Sequence, residues 1–166
     1  KKWHAPTVRP AVQCPGDLVQ LDTIHLMQNQ RDRLYVFTLI DVFSRWAYAK
    51  AAPRATTHAA VRFLREAQRE APFSFHHLQT DHGSEFSTVF TERSRLPHRH
   101  SRVRRPNDNG HVERFNRTVK EECLAHVPVT VTALNRALQR YIPYYNAGRH
   151  HFGLNLKKPS QMIPSY

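Results

Sequence analysis

The segment RLYVFTLID, residues 33–41, constrains the fold more than any other in the chain. Its apolar side chains fall on consecutive positions rather than alternate ones, and Tyr, Val, Phe, Thr and Ile all favour extended backbone. Such a strand is buried on both faces, so it belongs inside a sheet that carries other elements above and below.

The neighbouring segments read as its partners. In DLVQLDTIHL, 17–26, Val19 and Leu21 alternate with Gln20 and Asp22, as in a strand with one apolar face. WAYAKAA, 46–52, follows a short turn at Ser44 and Arg45 and completes a three-stranded meander. Thr56 or Thr57 then caps a helix that carries Ala60, Phe63, Leu64, Ala67 and Ala71 at helical spacing. That helix leads to the next strand, FSFHHLQTD at 73–81, as a parallel crossover, with Asp81 at the carboxyl end. A weaker strand is expected near His98 to Val103, then a helix from Gly110 to about Ala125 with Val112, Phe115, Val119 and Cys123 as its apolar stripe. A last helix, 131–146, uses Leu134, Leu138, Tyr141 and Tyr145, and Pro143 is expected to kink or end it. The stretch from Gly148 to Tyr166 reads as irregular surface chain. The expected fold class is α/β, a mixed five-stranded sheet flanked by helices, and 166 residues suit one domain.

Charge narrows the partners. Lys and Arg number 25 against 13 Asp and Glu, a net charge of +12, which points to a polyanion such as nucleic acid; a basic surface that only aids solubility is the bland alternative. RSRLPHRHSRVRR, 93–105, holds six arginines and two histidines but no aromatic residue, a pattern suited to phosphate contact rather than base stacking. Cys14 and Cys123 lie far apart in no CxxC pair, which supports neither a disulfide framework nor a thiolate zinc site. The 12 histidines, many in pairs such as His76-His77 and His150-His151, lack zinc-ligand spacing. No apolar run approaches the roughly 20 residues of a membrane span, and the first residues do not form a signal peptide, so a soluble, cytoplasmic protein with no membrane partner is expected.

Three carboxylates occupy distinctive positions: Asp22 within a strand, Asp81 at a strand end, and Glu113 in the first helical turn of PNDNGHVERFNRTVKEE, 106–122. Singly, each has an ordinary reading, as a solvated strand residue, a turn-forming Asx before Gly83, and an acid favoured at a helix N-terminus. If the two strands pair and the helix packs on that edge, the three converge at one end of the sheet. Converging anions can be held by arginine or by divalent cations, and two Mg²⁺ ions about 4 Å apart can clamp the attacking and leaving oxygens of a phosphodiester displacement.

The blocks QLDTIHL, IDVFSRW, QTDHGSEF, RPNDNGHVERFN and YYNAGRHHFGLNLKKPSQM occur in this order across most of residues 17–162. Together they resemble the catalytic core of insertion-sequence transposases and retroviral integrases, the DDE family, and PNDNGHVE fits that family's P-x-x-x-G-x-x-E. The resemblance implies a ribonuclease-H-like fold, with Asp22, Asp81 and Glu113 as the catalytic, metal-binding acids. It implies Mg²⁺ as cofactor, with Mn²⁺ as a substitute and two ions in the site. The implied activity is polynucleotidyl transfer, hydrolysing phosphodiesters at the ends of an element and joining strands to target DNA. DNA contacts are expected from Arg104, Arg105, Asn116, Arg117 and Lys120; Arg117 and Lys120 follow Glu113 at i+4 and i+7, on roughly the same helix face. Self-association as a dimer or higher oligomer and a bacterial, DNA-associated setting also follow from the resemblance. So does a division into a linker at 1–16 from an upstream DNA-binding region, a catalytic core at 17–146 and a C-terminal tail of that core at 147–166.

The sequence departs from the family's pattern in two places: only 31 residues separate Asp81 from Glu113, a little fewer than usual, and Pro143 precedes YYN. The alternative functions are a structure-specific or RNA–DNA hybrid nuclease on the same fold, or an inactive DNA-binding remnant.

Overall fold

In the computed structural model, which describes residues 8–102 and 106–164, the doubly covered strand is β2 (Arg33–Asp41), lying between β1 (Val19–Met27) and β3 (Ala47–Ala52). β1 and β2 pair antiparallel along their whole length, from Val19 opposite Asp41 to Met27 opposite Arg33. β4 (Leu78–Thr80) and β5 (His98–His100) add to the other edge of β1 in parallel, giving one five-stranded mixed sheet in the order β3-β2-β1-β4-β5.

The period of two along β1 and β2 divides the core. Val19, Leu21, Phe37 and Leu39 face α1 (Thr57–Glu70) and pack with Ala60, Phe63, Leu64 and Ala67. Ile24, Val36 and Ile40 face the other way, towards α3 (Gly110–Val119) and α4 (Val131–Ala147), and pack with Val112, Phe115, Leu134 and Leu138. Burial of each of these large side chains is worth roughly 1.5–3 kcal/mol, so both covers are needed. α1 starts where its sequence specifies, the Thr56 hydroxyl accepting a 3.1 Å bond from the Ala59 N–H.

Several expectations are corrected. The strand expected at 73–81 is paired only over Leu78–Thr80. Phe73 and Phe75 instead join the aromatic cluster beside Trp46, and the chain is tied down by the His76 N–H to the Gly16 carbonyl. Gly16 is obligatory there: its φ is +89°, and a Cβ would meet the Ser74 carbonyl oxygen at 1.9 Å. α2 (Thr88–Ser94) was not anticipated; it is short and buries Phe90 against Phe86. The helix expected from Gly110 to Ala125 is α3 continued by one wide π turn, Lys120–Leu124.

Pro143 does not end the last helix, which runs on to Ala147. The carbonyl deprived of its partner is that of Gln139, and both residues lie on the exposed side of α4, where water can satisfy it. The segment after α4 is no loose surface chain: His151, Leu154, Pro159 and Ile163 are buried, and Ile163 joins the α1-side core. No helix among the described residues is long and apolar enough to cross a membrane.

Candidate active site

Two strands of the sheet bring the first two acids level. β1 and β4 are parallel, with Gln20 opposite Gln79, and Asp22 and Asp81 each follow two residues later. A step of two returns a strand side chain to the same face, so each Asp succeeds its Gln on the side covered by α3. The sequence marks this as the twin tripeptides QLD and QTD.

The two glutamines, both fully buried, hold the start of α3 against the sheet. Both donate from Nε2 to the Asp108 carbonyl, 2.9 Å for Gln20, and Gln20 Oε1 accepts the Val112 N–H at 3.1 Å. Gln79 Oε1 in turn accepts from Arg99 Nη1 at 2.7 Å. Asp108 is buried and draws Arg102, whose N–H and Nε reach Oδ2 at 2.9 and 3.2 Å. Leaving such buried groups unpaired costs about 1–3 kcal/mol each, so this frame fixes the helix that begins at Gly110. Glu113, in its first turn, is exposed on that fixed helix.

One turn along the helix, Asn116 ties α3 to Asp22 itself. Its Nδ2 donates to Asp22 Oδ2 at 2.7 Å, while its Oδ1 accepts from Thr38 Oγ1 at 2.6 Å. The Thr23 N–H donates to the other carboxylate oxygen at 2.8 Å. Asp81 is partly buried, with Oδ1 accepting the Gly83 N–H at 2.9 Å. A Cβ on Gly83 would stand 3.0 Å from that oxygen and 2.9 Å from Glu85 Oε2, so glycine lets the buried Glu85 approach Asp81.

The charges feel one another. Burial pushes the Asp22 carboxyl up to about 6, the Asp81 and Glu113 charges add to the rise, and the Thr23 and Asn116 donors oppose it. Among the described residues, no three His, Cys, Asp or Glu side chains stand close enough to share a metal ion. The structure therefore couples the three acids electrostatically without drawing them into one ligand sphere. Their chemistry nonetheless suits a hard divalent cation: the donors are carboxylate oxygens with lone pairs to spare, and their mutual repulsion is relieved by positive charge.

The residues expected to contact DNA fare differently. Arg117 and Lys120 are exposed beside Glu113, and no ion pair links Glu113 to Arg117. Asn116, the other residue expected there, is 8% exposed, and its amide is engaged by Asp22 and Thr38, so it positions an acid. Arg104 and Arg105 lie outside the described residues. Sequence reasoning missed the roles of Gln20, Gln79, Asn116 and Asp108. The signal was the polar residues on the covered face of buried strands and of the helix stripe.

Comparison with known proteins identifies the family and the fold. Two family models, both described as integrase core domain, match residues 12–106 and 94–159, the first alone covering more than half of the chain. The transposase for insertion sequence element IS904 of Lactococcus lactis subsp. lactis (strain IL1403) is 30% identical over 152 residues. That alignment takes in 87% of this chain and 58% of the transposase, so the chain spans little more than half of that relative. Among solved structures, the HTLV-2 integrase catalytic core domain in complex with magnesium superposes with a TM-score of 0.71 at 20% identity, covering 90% of this chain and 97% of the other. The simian T-cell lymphotropic virus intasome in complex with PP2A regulatory subunit B56 gamma gives 0.73 at 19% identity, covering 100% and 61%. These likenesses identify the fold as ribonuclease-H-like.

Proposed function

The chain belongs to the integrase core domain family, and from that premise we propose that it is the catalytic core of a DNA transposase or integrase, a Mg²⁺-dependent polynucleotidyl transferase. It hydrolyses phosphodiesters at element ends and transfers the freed 3′-hydroxyl strand into target DNA. The observation that supports the reading is that Asp22 and Asp81 stand level at the ends of one parallel strand pair, on the face covered by the helix that carries Glu113, with Asp22 raised to about 6 by burial and, to a lesser extent, by the other two charges.

In this proposal Asp22, Asp81 and Glu113 hold Mg²⁺, or Mn²⁺ in its place, as two ions. Bound there, the cations supply Lewis acidity, making a water or 3′-hydroxyl more nucleophilic and stabilising the leaving oxygen. The chain's own part is to hold and orient. Asn116 and Thr23 keep the Asp22 carboxylate turned to the site, and the Gln20–Gln79–Asp108 frame fixes Glu113. Arg117 and Lys120, exposed next to Glu113, bind phosphates of the DNA backbone and set the strand's register without reading its bases. The division into linker, core and tail, a working form of two or more copies, and a DNA-associated cytoplasmic setting belong to the same reading.

Incubation of the chain with branched DNA and Mg²⁺ or Mn²⁺ tests it. Strand joining is expected. Cutting without a joined product would replace the transferase by a nuclease, and salt-sensitive binding with neither reaction would make the chain a binding remnant.

A further inference from the structure

A second feature lies on the other flank of α3. A cleft of about 490 Å³ opens between that helix, the β2–β3 turn and the segment after α4. Its size is within the roughly 300–1,000 Å³ of small-ligand sites, and its lining has no carboxylate but includes Arg45, Arg114, Arg117 and Arg149. Arg149 is engaged by Glu122 at 2.6 Å. Among the described residues, no carboxylate lies within ion-pair distance of Arg45, Arg114 or Arg117. Arg45 is only partly exposed and sits at φ +65°, a conformation that disfavours any residue but glycine, asparagine or aspartate. A strained, partly buried, unpaired cation facing a cleft marks a ligand contact better than a solubilising surface charge.

One lining residue is of another kind. Phe152 is 86% exposed, an aromatic ring presented to solvent at a cationic cleft. Arginines with an accessible aromatic face form the combination that binds unpaired nucleotides, phosphates on the cations and base on the ring. Arg117, which lines the cleft, is the residue that reaches from it towards the acid side of α3. At about 100° per residue, His111, Arg114 and Thr118 face one side of α3 and Glu113 and Asn116 another, with Arg117 between them.

We infer that this cleft receives one unpaired nucleotide of a DNA strand, its base on Phe152 and its phosphates on Arg45 and Arg114, while Arg117 passes the neighbouring phosphate towards the acids. The inference rests on the DNA-processing function proposed above. It adds a site that separates a strand from its complement next to the reacting phosphodiester.

Fluorescence anisotropy at fixed salt, comparing a duplex that carries a short single-stranded overhang with the blunt duplex of equal length, tests it. The wild-type chain prefers the overhang, and Phe152→Ala reduces that preference by about tenfold. Arg114→Gln and Arg45→Gly reduce it too; glycine keeps the turn, since it adopts positive φ freely. Arg65→Gln, which removes an equal charge from the exposed side of α1, leaves the preference unchanged. Equal binding of the two duplexes by wild type, or an unaltered preference in Phe152→Ala and Arg114→Gln, overturns the cleft while leaving the DNA function standing. Absence of any DNA binding overturns both.

Discussion

Asn116 shows how much one side chain decides. Its amide joins Asp22, Thr38 and α3, and both polar ends lie in a buried setting. Asn116→Ala leaves Asp22 and Thr38 each short of a partner, and urea unfolding is expected to show a loss of about 1–3 kcal/mol; a loss below about 0.5 kcal/mol would refute the clasp. Asp22 supplies a pH test. Its carboxyl rises to about 6 in the fold, chiefly through burial, against about 3.9 for a free Asp. Between those values the folded chain holds the extra proton, so this residue's contribution to stability falls as pH rises from about 4 to about 6 and is level above. Thermal melts should show Asp22→Asn gaining on wild type through that window. At pH 7.5, Mg²⁺ should raise the wild-type midpoint but not that of Asp22→Asn; parallel curves, or equal metal response, would contradict the assignment. The strand and helix positions of Asp22, Asp81 and Glu113 were legible in the sequence from strand alternation and helix phase, whereas their grouping as one site came from the family resemblance. The residues that hold the acids were not legible, because a polar side chain on a strand looks solvated until the covering helix is in place.

At the scale of elements, β3 is an edge strand of alanines that would expose its backbone groups to any extended chain. α4 closes it with two side chains. Asn135 accepts the Ala51 N–H at 2.8 Å and donates to its carbonyl at 3.2 Å, and Asn146 does the same for Ala47 at 2.8 and 2.9 Å. Eleven residues of helix rise roughly 16 Å, and four of strand roughly 13 Å, so the two asparagines reach nearly matching points. The double substitution Asn135→Ala, Asn146→Ala should lower stability by about 2–6 kcal/mol, twice the cost of a single orphaned site, and light scattering should rise with concentration as the edge recruits other chains. Stability within about 1 kcal/mol of wild type would show that water replaces the clasp. The meander, α1, α3 and α4 could all be read from their apolar periods. α2 and the true length of β4 could not: both depend on where Phe73, Phe75, Phe86 and Phe90 pack, which is set by residues far away in the chain.

For the whole molecule, the net charge of +12 is spread unevenly, with exposed Arg114, Arg117 and Lys120 on one helix beside coupled acids. A plot of log binding constant against log salt should be steep, and Arg117→Gln should reduce its slope by about one phosphate contact; an unchanged slope would remove Arg117 from the DNA interface. The central claim is that Asp22, Asp81 and Glu113 act as one metal-dependent site. It is tested most directly by metal-dependent nicking and joining of a branched DNA, comparing the wild-type chain with Asp22→Asn, Asp81→Asn and Glu113→Gln at equal DNA occupancy. The account predicts product from the wild type with Mg²⁺ or Mn²⁺ and none from any of the three variants; undiminished product from even one of them would contradict it.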